Sequence, residues 1–111
     1  MKLQIRPSAF DDLAKGRWFY DSQQLGIGDY FFDSLFSDID SLKLYAGIHP
    51  KVIGYYRMLA RRFPYAIYYD VKNETSVVWR VLDMRQNPKT IIQELKSNKS
   101  VFTTPEAALF P

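Results

Sequence analysis

The sequence predicts an α+β domain in the order β-α-α-β-β-β-α, and three observations carry that prediction. Apolar residues recur at helical spacing from residue 9 into the low forties. The period then drops from about 3.6 residues to 2 in "GYYRMLARR" and the segments after it. Finally, Asn87-Pro88 supplies a helix start, an N-cap followed by proline at the first helical position. We expect a helical hairpin on one face of a small, mostly antiparallel sheet.

Taken in order, "KLQI" is a short strand that ends at Arg6-Pro7. Ser8 stands where an N-cap belongs, with Asp11 three residues on as an acidic variant of the capping box. Phe10, Leu13, Ala14, Trp18 and Leu25 then mark a helix over 9–25, which "GIGD" breaks with two glycines. A second helix carries Phe31, Phe32, Leu35, Phe36, Ile39 and Leu42 on one face. "YAGIHPK" is a loop. In the strand after it, Tyr55, Arg57, Leu59 and Arg61 point one way, and Tyr56, Met58, Ala60 and Arg62 the other. Phe63-Pro64 turns the chain, and Tyr65, Ile67, Tyr69 and Val71 alternate with Ala66, Tyr68, Asp70 and Lys72. "KNET" is the next hairpin turn, because asparagine tolerates a left-handed backbone. "SVVWRVLDMR" is apolar on both faces, which places it inside the sheet. Ile91, Ile92 and Leu95 dock a short final helix. The first strand adds beside one of the later three.

A length of 111 residues gives one domain, and 47% hydrophobic with 16% aromatic residues fits a packed core. The domain is expected over 1–96. Residues 97–111 form a loosely ordered tail, with Phe102, Leu109 and Phe110 as its docking residues. No cysteine is present, which excludes disulfides, thiolate metal sites and a cysteine nucleophile, and fits a cytoplasmic setting. The first twelve residues hold no signal-like apolar run, and no window reaches the roughly 18 apolar residues of a membrane span. Net charge is +3 but uneven: residues 1–48 carry five basic against seven acidic residues, and residues 49–99 ten against four. The second half is therefore suited to an anionic partner, either nucleic acid or an acidic protein segment.

Several chemistries fall away. His49 is the single histidine, there is no cysteine, and the carboxylates of the second helix lie on a solvated face, so no metal site is expected and no Ser/His/Asp set can be proposed. The place of His49 before Pro50 favours a turn role over acid–base work. "GIGD" lacks the preceding strand and the lysine of a phosphate loop. No cofactor is expected. What remains is a basic sheet. Arg57 and Arg61 share a strand face about 13 Å apart at roughly 3.3 Å per residue; Arg62 lies at the hairpin and Arg85 at the end of the last strand, flanked by Lys51 and Lys89. Arginine forks hold phosphates and carboxylates by paired hydrogen bonds, and tyrosines can stack on bases. The competing reading is structural. Tyr55, Tyr65 and Tyr69 pack under the helices, Arg85 pairs with Asp83, and edge arginines discourage sheet-to-sheet pairing.

The element order, the corner "LGIGDYFFDSL", the hairpin "RRFPYAIYYDV" and the strand end "VLDMRQNP" resemble the RelE/ParE superfamily of toxins from type II toxin–antitoxin modules, over residues 3 to about 92. The resemblance implies a cytoplasmic toxin, of the kind associated with plasmid stabilisation, and a cognate antitoxin whose extended or helical segment covers the basic sheet or the helical hairpin. A homodimer is left open. In the RelE-like branch, a ribosome-dependent mRNA endoribonuclease, Arg57, Arg61 or Arg62, and Arg85 would hold the scissile phosphate. The late proton-transfer residue of that branch has no counterpart, since Gln86, Asn87, Pro88, Lys89, Thr90 and Ile91 follow Arg85. The histidine common before the final arginine is replaced by Asp83-Met84. The ParE-like branch inhibits DNA gyrase by binding and needs no such group, so the chain leans towards it. The alternatives are the RelE-like nuclease and a degenerate toxin that only binds antitoxin.

Overall fold

Two helical layers enclose a five-stranded sheet in the computed structural model, which describes residues 1–103. The elements are β1 (Lys2–Ile5), α1 (Pro7–Gln23), α2 (Ile27–Asp40), α3 (Leu42–Tyr45), β2 (Lys51–Val52), β3 (Tyr55–Leu59), β4 (Tyr65–Lys72), β5 (Thr75–Asp83) and α4 (Pro88–Thr103). The strand order is β1-β5-β4-β3-β2. β1 runs parallel to β5, and the other neighbours pair antiparallel. The α+β class and the element order agree with expectation. The two-residue β2 and the single-turn α3 were too short to leave a periodic signal.

Helix α1 begins two residues earlier than the sequence suggested. Arg6 occupies the N-cap position without a side-chain capping bond, and Pro7 takes the first turn. Proline is pre-set for that place and its missing N–H goes unneeded. Ser8 is therefore not a cap: its hydroxyl donates to the Trp79 carbonyl of β5 at 2.6 Å. At the corner, Gly26 has φ +95°, the left-handed region that glycine enters without strain. The Asp21 carboxylate accepts from the amides of Gly26 (3.2 Å) and Gly28 (2.8 Å), satisfying the exposed start of α2. The two helices nearly touch there, since a Cβ on Gly28 would stand 2.4 Å from the Arg17 carbonyl oxygen.

The hairpin covers one sheet face. Ala9, Leu13, Phe31, Leu35, Ile39 and Leu42 meet Met58, Tyr65, Ile67, Tyr69, Val78 and Val81 in one core. Helix α4 covers the other face, where Ile91 and Leu95 meet Tyr55, Ala66, Tyr68, Val77, Trp79 and Leu82. Tyr55 therefore lies under α4, on the opposite side from Tyr65 and Tyr69. A β-bulge explains how β5 serves both cores. Tyr68 pairs with Arg80 but Tyr69 with Val78, leaving Trp79 as the extra residue. The bulge shifts the alternation by one, so Val78 and Val81 both face the hairpin and Arg80 falls at the switch. Asn87 caps α4 through its side-chain oxygen, which accepts the Lys89 amide at 2.8 Å. The helix runs past residue 96 to Thr103. The expected docking residues Leu109 and Phe110 lie outside the described residues.

Candidate functional site

The basic residues expected to share one surface are divided among three places. Arg57 is half-buried on the α4 face of β3, opposite Tyr68. Burial raises the Tyr68 phenol and the Arg57 charge pulls it back. The Arg57 Nε atom is buried without a hydrogen-bond partner among the described residues, as is Asp70 Oδ1. Arg61 does not share the Arg57 face, because β3 ends at Leu59 and the chain turns. Its amide and Nε donate to the two carboxylate oxygens of Asp38, at 3.0 and 2.8 Å. Asp38 is buried in α2, so this contact anchors the β3–β4 turn to the hairpin. Arg62 is exposed in the same turn. Lys51 lies over the Tyr56 ring, 4.8 Å from its centroid, and Lys89 is exposed in the first turn of α4.

Arg85 lies two residues past the end of β5, in the turn that follows, and not at the strand end as expected; Asp83, the last residue of β5, holds it. Its Nε and Nη2 donate to the Asp83 oxygens at 3.0 and 2.8 Å, and its amide adds a third bond at 2.8 Å. Nη2 also donates to the Tyr20 hydroxyl at 3.2 Å, with the guanidinium over the Phe19 and Tyr20 rings. The Asp83 hydrogen bonds raise the Arg85 pKa. Burial works to raise the Asp83 carboxyl, but the Arg85 bonds outweigh it and hold it low. The Met84 amide donates to the Pro64 carbonyl at 2.8 Å, so the β3–β4 turn and the end of β5 adjoin. The fold thus brings Arg61, Arg62 and Arg85 to one end of the sheet and leaves Arg57 and Lys51 away from it.

The most elaborate charge site escaped the sequence reading. Arg80 donates two bonds to Asp12, at 2.7 and 3.0 Å, and one to Glu94, at 2.9 Å. It ties α1, β5 and α4 together. The Val81 amide gives Asp12 a further bond at 2.9 Å. Burial raises the Asp12 carboxyl against the pull of Arg80, while the Asp12 bonds raise Arg80. One signal was available: Ala9, Asp12, Leu13 and Gly16 form a buried stripe at i, i+3, i+4, i+7, with an acid inside it. An arginine within "VVWRVL" is its natural counterpart.

His49 is half-buried. Tyr69 Oη accepts the Gly47 amide at 2.9 Å and shares a hydrogen bond with His49 Nδ1 at 2.5 Å. Desolvation lowers the His49 pKa. Its role is to fasten the α3–β2 loop to the central strand. The hairpin displays exposed apolar side chains: Phe10, Trp18, Leu25 and Tyr30 are 44%, 74%, 91% and 50% exposed. No group of three or more metal-ligating side chains converges among the described residues. No helix among them is long and apolar enough to cross a membrane.

No protein-family model matches the chain, and no curated protein matches it. Among solved structures, it is similar to a chain of the chromosomal ParDE toxin–antitoxin system from P. aeruginosa. The two superpose with a TM-score of 0.70 at 18% identity, over 77% of this chain and 97% of the other. The fold is ParE-like. The fold is thus matched over nearly the whole length of that neighbour and over 77% of this chain. In this chain Asp83 and Met84 stand directly before its last arginine, Arg85, and Asp83 is the group that clamps it.

Proposed function

We propose that this protein is the toxin of a type II toxin–antitoxin module, ParE-like in action: it inhibits DNA gyrase by binding and is neutralised by a cognate antitoxin. One observation carries the choice of binding over RNA cleavage. Two of the three arginines that a nuclease would turn on a scissile phosphate are committed to carboxylates of the same chain, Arg61 to Asp38 and Arg85 to Asp83. Phosphoryl chemistry of that kind needs free guanidinium groups aimed at developing charge, with a proton-transfer group beside them. The segment after Arg85 brings only Lys89, on the exposed first turn of α4. A binding inhibitor has no such requirement. The exposed apolar side chains of the hairpin, Trp18 among them, are the surface offered to gyrase, because exposed aromatic side chains mark protein-binding faces.

The test is controlled expression in a bacterial host, reading growth, plasmid supercoiling and mRNA 5′ ends. Wild type is expected to arrest growth with a DNA-damage response and intact mRNA. Trp18→Ser is expected to relieve the arrest, and an Arg57/Arg61/Arg85 triple alanine to retain it in proportion to its soluble level. New in-frame mRNA cleavages lost in the triple alanine would instead establish a RelE-like nuclease. Soluble wild type without arrest would leave a degenerate toxin that only binds antitoxin.

A further inference from the structure

The chain has three methionines, and their sulfurs meet different surroundings. Met58 is 7% exposed inside the hairpin core. The Ser41 hydroxyl stands 3.7 Å from its sulfur, but that hydroxyl already donates to the Asp38 carbonyl at 2.6 Å. Met84 is half-buried at the rim of the second core, just past the end of β5. Tyr68 Oη donates to the Met84 sulfur at 3.7 Å. Tyr68 is buried, and its hydroxyl reaches no other acceptor among the described residues.

Donors outnumber good acceptors at this spot. Arg57 is the register partner of Tyr68, so the two side chains leave the sheet on one face. Burial raises the Tyr68 phenol and the Arg57 charge draws it back, as adjoining groups do. The Nε atom of Arg57 is buried without a hydrogen-bond partner. A thioether is a weak acceptor, and a buried donor that lacks a strong one carries its desolvation cost unrelieved. A sulfoxide oxygen is a strong acceptor. Oxidation usually damages a core, because it sets a polar group among apolar ones. Here the new oxygen would grow from the sulfur that the Tyr68 hydroxyl already faces.

We propose that Met84 is an oxidation site for hydrogen peroxide, and that the fold receives its sulfoxide through the Tyr68 hydroxyl, with Arg57 beside it as a second donor. A sulfur lone pair attacks one peroxide oxygen, and the O–O bond breaks. That oxygen stays on sulfur, while its proton and the departing hydroxide leave as water. Sulfur gives up the two electrons that the peroxide gains. The product ties the segment after β5 to β4 and β3 more firmly than the thioether does.

The experiment treats the full chain with hydrogen peroxide and follows each methionine by mass spectrometry after trypsin. Met58 and Met84 fall in separate tryptic peptides, 58–61 and 81–85. Met84 is expected to oxidise at least about 10-fold faster than Met58. Thermal unfolding is then compared before and after oxidation, and Met84→Leu reports what the exposed Met1 contributes. Wild type is expected to keep its midpoint or raise it. Tyr68→Phe and Arg57→Leu each remove one donor and are expected to lose several degrees on oxidation. Each is read against its own unoxidised form, so a lower starting stability does not enter, and either one suffices if the other misfolds. A wild-type loss as large as theirs overturns the proposal, because the oxygen then meets no donor. Variants that tolerate oxidation as well as wild type overturn it too, because the donors are then idle. Oxidation of Met84 as slow as that of Met58 also overturns it, because peroxide then has no path to the sulfur.

Discussion

Asp12 is 8% exposed and its partner Arg80 is 14% exposed, so each depends on the other. A buried charge stripped of its partner is far more costly than a buried pair replaced outright. Asp12→Ala leaves Arg80 with only Glu94, and denaturant unfolding is expected to register a loss of about 3 kcal/mol. Replacing both, as Asp12→Leu with Arg80→Met, is expected to recover most of that loss. If the single and double variants are equally unstable, the pair is not what holds α1 to β5. The β4–β5 turn offers a change in the opposite direction. Asn73 and Glu74 have φ values of +50° and +62°, a two-residue hairpin turn in which both residues are left-handed. Asparagine suits its place and an exposed glutamate does not. Glu74→Gly is expected to stabilise the protein by about 1 kcal/mol, read as a raised unfolding midpoint with an unchanged denaturant slope.

At the scale of elements, the sequence was most legible where one period ran long. The phase of β4 was correct throughout: Tyr65, Ile67, Tyr69 and Val71 face the hairpin, and Ala66 and Tyr68 face α4. It failed where the period broke. The bulge at Trp79 hides a change of phase that looks like plain hydrophobicity, and Arg61 seemed to continue a strand that ends at Leu59. Its partner Asp38 is 23 residues away, a distance at which no local pattern reports contact. The candidate site was thus legible in residue type, and in partnership only for the near neighbours Asp83 and Arg85. His49 shows the same limit, since only the fold brings it to Tyr69. The loop that it fastens should respond to pH. A free histidine takes up its proton near pH 6.5, whereas desolvation lowers the folded value. The stabilisation is therefore complete above about pH 6.5 and lost as pH falls through the folded pKa. Exchange at the Gly47 amide is expected to accelerate relative to the rest of the core between pH 7.5 and 5, and Tyr69→Phe to abolish that difference. An unchanged ratio would mean that the loop is held by other contacts.

The whole molecule is organised around β4, which supplies Tyr65 and Tyr69 to one core and Tyr68 to the other, at 7%, 0% and 1% exposure. Burial raises all three phenols; for Tyr65, burial with the nearby Asp83 pushes the pKa up to about 12. In the unfolded chain a tyrosine ionises near pH 10. Above that pH the unfolded state sheds protons that the folded state must keep. The contribution of these phenols is therefore intact below about pH 10 and lost as pH rises through their folded values. Tyr65 alone accounts for a loss on the order of 2 kcal/mol by pH 12. Because the three rings reach both faces of one central strand, both cores give way together, and the transition should stay two-state as it weakens. Denaturant unfolding at steps from pH 8 to 11.5 is expected to give a flat stability up to about pH 9.5 and a steep fall beyond it. Tyr65→Phe lowers the plateau by losing the phenol's contact with Arg85, yet makes the fall shallower, so the slope and not the level is the quantity to compare. A profile as steep in Tyr65→Phe as in wild type would place the alkaline sensitivity in Tyr68 and Tyr69. A flat profile to pH 11.5 would mean that the phenols of β4 ionise without unfolding the sheet.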